Sequence, residues 1–281
     1  MEELDNITKL HNIFLEKDWL KNPFNETVFG NFCILLSNLS ETQRRLILEL
    51  TTRYTWLNHN DCQTRLIKAL QSVEDEKLVA LDRIYVFPIM KKDDEDKTKS
   101  GHYILYMLRG LQPFLSKFRH IKFIEIESFE KLAAGNFKIG KKETIFLVDD
   151  YLGSGETITE TIEIILKNRD IDISNLNIIA VAAQKETVEF VKDLGIPIYT
   201  EFVYFKGISD YYKSPDLEEK SQIMLDIESL IPGNFYSFGY NGSEALISLV
   251  RTPDNTFPIF WKQYRISRRK FDPPFPRYSD Q

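Results

Sequence analysis

Two adjacent aspartates, Asp149 and Asp150, close an apolar run and stand just ahead of a loop rich in glycine and hydroxyl groups, in the stretch TIFLVDDYLGSGETITETI from Thr144 to Ile162. Neighbouring carboxylates accept hydrogen bonds from paired hydroxyls, such as those of a ribose, and hold Mg²⁺ directly or through water. The loop Gly153, Ser154, Gly155, Glu156, Thr157 opens a helical pattern. The first backbone N–H groups of a helix have no partner within it, and the positive end of the helix dipole favours an anion, phosphate above all. Gly153 and Gly155 let the backbone turn tightly and approach a ligand, while the Ser154 and Thr157 hydroxyls add donors. A phosphate cradle beside two acceptors for a diol suits a sugar phosphate.

Strand, loop and helix must follow one another to hold these groups. Ile145 to Val148 is apolar at every position, the pattern of a strand buried on both faces of a parallel sheet. The aspartates then fall at its carboxyl end, where open α/β sheets place their ligands. Ile158, Ile162, Ile165 and Leu166 recur at the spacing of a single helical face. In the plainer alternative the acids merely end a strand, and Ser154 or Thr157 is only an N-cap. A Walker-type loop does not fit, because no Gly-Lys-Ser/Thr occurs here.

The same alternation extends over the centre of the chain. Strands are expected at Ile84–Phe87, Phe123–Ile126, Leu176–Ala182 and Ile198–Val203, with helices at 102–118 and Glu186–Leu194. This order predicts an α/β fold with a parallel sheet flanked by helices, joined by right-handed crossovers. Residues 1–80 read as a helical extension, with a capping-box pattern at Ser40 to Gln43. The expected division is therefore 1–80 helical, 81–205 core, and 206–281 a C-terminal part ending in a basic, proline-rich tail.

On the residues Asp149 to Thr157 the chain resembles the type I phosphoribosyltransferases, which bind phosphoribosyl pyrophosphate (PRPP). The resemblance implies that Asp149 and Asp150 take the ribose hydroxyls and act with Mg²⁺, and that Gly153, Ser154, Gly155, Glu156 and Thr157 surround the 5′-phosphate. Type I enzymes hold pyrophosphate with the loop after their first core strand, here the charged stretch MKKDDEDKTKSG, which makes Lys99, Ser100 and Gly101 candidates. His102 follows them and could reach the leaving group. Glu127 to Lys142, with Gly135, Asn136 and Gly140, occupies the place of the family's closing loop. A C-terminal hood for the nitrogenous acceptor would include Arg251, Asn255, Phe257 and Trp261. Gly153 departs from the purine-salvage members, where an aspartate is frequent, and so weakens a purine acceptor. The segment RTPDNTFPIFW is also similar to divergent phosphoribosyltransferase-like proteins of bacterial conflict and phage-defence systems, some of them retron-type.

Composition bounds the remaining choices. With 281 residues, 43% of them hydrophobic, the chain can fill a sizeable core, and its net charge of −6 argues against a general nucleic-acid coat. No apolar stretch is long enough to span a bilayer and the amino terminus is polar, so no membrane and a cytoplasmic location are expected. Cys33 and Cys62 lack the spacing of a zinc or redox pair. Arg265, Arg268, Arg269 and Lys270 cluster near the end, where the tail either drapes over the surface or docks on nucleic acid, a defence-system protein or another subunit. The family resemblance also implies a homodimer. The leading expectation is a pentosyltransferase that moves a phosphoribosyl group to or from a nitrogen acceptor. The alternatives are a silent sensor of PRPP or a nucleotide, and an effector that cleaves the glycosidic bond of a nucleotide such as NAD.

Overall fold

The computed structural model describes residues 2–133, 137–233 and 236–277. The chain opens with α1 (Glu2–Glu16), α2 (Asn25–Ser37), α3 (Glu41–Arg53) and the short β1 (Thr55–Trp56). Next come α4 (His59–Gln71), α5 (Asp75–Val79), β2 (Arg83–Pro88), α6 (Ser100–Leu111), β3 (Lys122–Glu125) and α7 (Phe129–Ala133). The motif region supplies β4 (Glu143–Leu152) and α8 (Glu156–Ile165), followed by β5 (Leu176–Gln184), α9 (Lys185–Asp193), β6 (Ile198–Tyr199) and β7 (Phe202–Tyr204). The C-terminal part holds α10 (Asp216–Glu228), β8 (Ile247–Ser248), β9 (Tyr264–Ile266) and β10 (Arg269–Phe271). Among the described residues no helix is long and apolar enough to cross a membrane.

Residues 60–204 form one compact unit around a sheet ordered β3-β2-β4-β5-β6, with β7 also on β5 and every pair parallel. This is the expected mixed α/β architecture. β4 and β5 lie in the middle, and β5 is buried along its whole length. The single strand expected at 198–203 is split at Thr200–Glu201 into β6 and β7, which keep one register against β5. The expected helix 102–118 begins earlier, at Ser100, and ends at Leu111, because Pro113 cannot continue an α-helix. Two short 3₁₀ turns complete that segment.

The strand order makes neighbours of two strands whose chains leave in opposite directions. From β2 the chain runs through α6 to the edge strand β3, whereas from β4 it runs through α8 to β5. Adjacent strands that diverge in this way leave a crevice at their carboxyl ends, the place where open α/β sheets bind ligands.

Residues 1–59 and 205–281 form the second compact unit, so the helical extension and the C-terminal part share one core while α4 and α5 fold with the sheet. Ser40 caps α3 as the pattern predicts: its hydroxyl accepts from the Gln43 N–H, and its own N–H donates to Gln43 Oε1 at 2.9 Å. The two flanks meet in an aromatic cluster. Tyr54 is fully buried, stacks on Phe275 with centroids 4.7 Å apart, and shares a 2.7 Å hydrogen bond with Ser248 Oγ. Phe32 and Trp19 meet Phe275 edge-on. Replacing Phe275 with Ala should therefore destabilise the N-terminal helices, by about 3 kcal/mol for loss of a buried phenyl ring. Denaturant unfolding followed by the fluorescence of Trp19 and Trp56 would register the loss, and an unchanged midpoint would show that the flanks do not depend on each other.

Candidate functional site

β2 pairs with β4 only as far as Pro88 opposite Val148, while β4 continues along β5 to Leu152. Asp149 and Asp150 therefore lie on a stretch of β4 that β2 has left, and the amino end of α6 stands beside it. Ser100 Oγ donates to Asp149 Oδ1 at 2.7 Å, and the Asp150 N–H donates to the same oxygen at 2.9 Å. Asp149 is 8% exposed and Asp150 is half-buried. Burial pushes the Asp149 carboxyl well above the usual range, and the charge of Asp150 pushes it further, against the lowering effect of the Ser100 hydrogen bond. Burial raises Asp150 as well. No lysine or arginine is among the main influences on either acid.

Such a pair suits a cation and hydroxyl donors. Mg²⁺ commonly takes one or two protein carboxylates and completes its shell with waters and substrate phosphates. The two aspartates match that donor set, although among the described residues no three His, Cys, Asp or Glu side chains converge as ligands.

The phosphate loop has the backbone that an anion cradle needs. Gly155 is the N-cap residue of α8 at φ 82°, and no side chain caps the helix there. In the left-handed region a Cβ is penalised, and at this position it would also lie 3.3 Å from Thr187 Oγ1. Thr187 Oγ1 donates to the Gly153 carbonyl, so α9 braces the loop from outside. Ser154 is exposed and Thr157 half-buried. The Glu156 carboxylate pairs with Lys91, so a phosphate contact at this position would fall to the backbone. A groove of about 550 Å³ between α8 and α9 reaches Ser154 and Gly155, but Glu156, Glu160, Glu163 and Glu186 line it and make it unsuited to phosphate.

The charged loop after β2 is tied down along its length. Thr161 Oγ1 donates to Met90 O at 2.9 Å, and the Lys92 N–H donates to Glu160 Oε1 at 3.0 Å, which fastens the start of the loop to α8. Asp94 takes both Lys97, at 2.8 Å, and Lys99, at 2.6 Å, and Glu95 accepts from the Phe129 N–H at 2.6 Å. The candidate Lys99 thus already holds a carboxylate, whereas Ser100 touches the aspartates directly. Gly101 is buried: a Cβ there would lie 2.8 Å from Pro88 Cβ and 3.0 Å from Val148 O. It lets α6 close onto the strand ends. His102 accepts from the Lys99 N–H through Nδ1 at 3.2 Å, which assigns the ring proton to Nε2.

The remaining expectations separate. In the segment Glu127 to Lys142, Gly135 and Asn136 lie outside the described residues, whereas Phe129 and Leu132 are buried and Asn168 Nδ2 donates to the carbonyls of Leu132 and Phe137. The described part is a packed connection. Phe257 is fully buried, Asn255 donates to Ser243 Oγ at 2.9 Å, and Trp261 donates to Thr256 O at 2.8 Å, so these three serve packing within their own unit; Arg251 is exposed. Sequence reading missed Thr187, Thr161 and Tyr103. Thr187 lies far along the chain and reaches the loop only because β4 and β5 are neighbours. Thr161, one turn after Thr157 on α8, was open to the helical spacing. Tyr103, on α6, is pushed up to about 12 by burial first and then by the charges of Cys62 and Asp150.

A family model described as PRTase-CE matches residues 17–277 of the chain. No curated protein matches it.

The raised pair predicts a stability effect of definite sign. An aspartate titrates near 3.9 when unfolded, and Asp149 titrates higher when folded, so above that pH the folded state holds the extra proton and stability falls as pH rises towards the folded value. An amide oxygen can still accept from Ser100 and from the Asp150 N–H. Asp149→Asn should therefore raise Tm at pH 7 in metal-free buffer, by on the order of 1 kcal/mol per pKa unit relieved, and flatten the decline that sets in as pH rises above about 4. A lower Tm with an unchanged pH profile would show that the charge is compensated.

Proposed function

The chain belongs to the PRTase-CE family, a phosphoribosyltransferase-like family, and from that premise we propose that its α/β core binds PRPP or a related ribose 5-phosphate nucleotide with Mg²⁺ and transfers the phosphoribosyl group to or from a nitrogen acceptor. One observation carries this reading: a pair of adjacent carboxylates, one buried and one half-buried, at the switch point of a parallel sheet, followed by a glycine-capped helix start with no side chain in the cap.

Asp149 and Asp150 accept from the ribose hydroxyls, and the amide groups opening α8, with Ser154 and Thr157, hold the 5′-phosphate. Both ends of the sugar are then fixed, which removes the orientational part of the barrier while the bond from the anomeric carbon to the pyrophosphate oxygen breaks and the bond to nitrogen forms. Acidic groups beside the ring favour the positive charge that develops there. When bound at these carboxylates, Mg²⁺ would neutralise charge on the departing pyrophosphate. Ser100 positions Asp149.

A second reading, a binding module without turnover, draws support from the loop after β2, whose Lys99 is paired with Asp94 and Lys91 with Glu156 instead of being held ready for pyrophosphate. Calorimetry separates binding from its absence, and pyrophosphate release separates the two readings. Mg²⁺–PRPP should bind the wild-type chain and fail to bind Asp150→Asn, and release pyrophosphate when free bases are screened as acceptors. Binding without release with any base supports the module, and no binding removes both readings. Gly155→Ala should weaken binding about tenfold, since a Cβ in the left-handed region costs about 1–2 kcal/mol and drives the loop away from the conformation that cradles phosphate; unchanged affinity would place the phosphate elsewhere.

A further inference from the structure

The basic C-terminal stretch is an ordered hairpin with a two-residue turn, and its charges are arranged against its own stability. β9 and β10 pair antiparallel, with Tyr264 opposite Phe271, Arg265 opposite Lys270 and Ile266 opposite Arg269. Tyr264 is fully buried and stacks on Phe271 at 5.6 Å, and the Arg265 N–H donates to Leu230 O at 2.8 Å, so the base of the ribbon is fastened to its unit. Ser267 takes φ 58° at the first turn position, where hairpins of this length favour positive φ. Beyond that stacked pair, Arg265, Arg268, Arg269 and Lys270 are all exposed.

Arg265 and Lys270 are direct cross-strand partners of like charge, an arrangement that destabilises a hairpin. No ion pair involves any of these four cations among the described residues. In a chain of net charge −6 such a concentration of cations fits an external anion.

We propose that the β9–β10 hairpin docks on duplex DNA, with its cations on the phosphate backbone. By strand alternation Arg265 and Lys270 project from one face, Arg269 lies on the other, and Arg268 stands at the tip. Arg269 shares its face with Tyr264, Ile266 and Phe271, which pack on the core of the unit, so the face of Arg265 and Lys270, the tip and the exposed Arg269 are what a phosphate backbone would meet. Three of the four cations are arginines, whose planar forks match phosphate oxygens. The contacts are to the backbone and carry no base sequence.

The test uses the full chain and a fluorescein-labelled DNA duplex in fluorescence anisotropy, with single-stranded DNA and polyglutamate as competitors. Four phosphate contacts give a log K against log salt slope of about −3.6, which is a loss of roughly 100-fold in affinity between 50 and 200 mM salt. Replacing Arg265, Arg268, Arg269 and Lys270 together with Ser should abolish duplex binding. Lys270→Glu places an acid opposite Arg265, so it should raise Tm or leave it unchanged while weakening duplex binding about tenfold or more. That pairing of effects excludes simple misfolding. Duplex binding that survives the fourfold variant overturns the proposal, as does its absence at 50 mM salt. Tighter competition by polyglutamate or by single-stranded DNA assigns the surface to another partner and overturns it equally.

Discussion

Placing two neighbouring carboxylates together, one buried and one half-buried, is costly, and the sheet holds Asp149 and Asp150 where they are. β4 carries both acids. It is paired with β5 for its full approach and with β2 only up to Val148, so the acids emerge at the one place where two parallel neighbours part. The closeness of α6 to that place depends on Gly101, which has no Cβ to strike Pro88 or Val148 O, and Ser100 then reaches Asp149. Burial that a fold could avoid with an asparagine or a threonine is retained here, as expected of a binding site rather than of a stabilising contact.

A second set of interactions holds the neighbouring loop in shape without filling its helix end. Gly155 turns in the left-handed region, Thr187 fixes the Gly153 carbonyl, and Thr161 and Glu160 bind the start of the β2 loop to α8. The lysines of that loop are held by Asp94 and Glu156. Positive charge is therefore kept near the crevice but engaged, and any anion arriving there must compete with carboxylates already in place.

Much of this was legible in the sequence, because it rests on local pattern. The unbroken apolar run Ile145 to Val148 marks a doubly covered strand, the spacing of Ile158, Ile162 and Ile165 marks the helix, and the acids and glycines between them mark the turn. The near-cancelling charges of the β2 loop were visible too, although not which lysine meets which acid. What stayed hidden depends on which strands become neighbours. Gly101 reads in sequence as a ligand-facing glycine, yet it is a packing position, because only the folded sheet brings Pro88 and Val148 against it. Thr187 has no local signal at all. The basic tail was open between a draped segment and a docking element, and the buried Tyr264 and Phe275 that anchor it are recognisable only when the N-terminal helices are folded around them.

The central claim is that Asp149 and Asp150 share a site completed by a bound sugar phosphate with its metal. Titration calorimetry of Mg²⁺–PRPP on the wild-type chain and on Asp149→Asn measures it most directly, because a site completed by the metal and the sugar hydroxyls needs the carboxylates of the pair. The expected result is binding by the wild-type chain that is lost in Asp149→Asn. Binding of equal strength in the wild-type and the variant would contradict it.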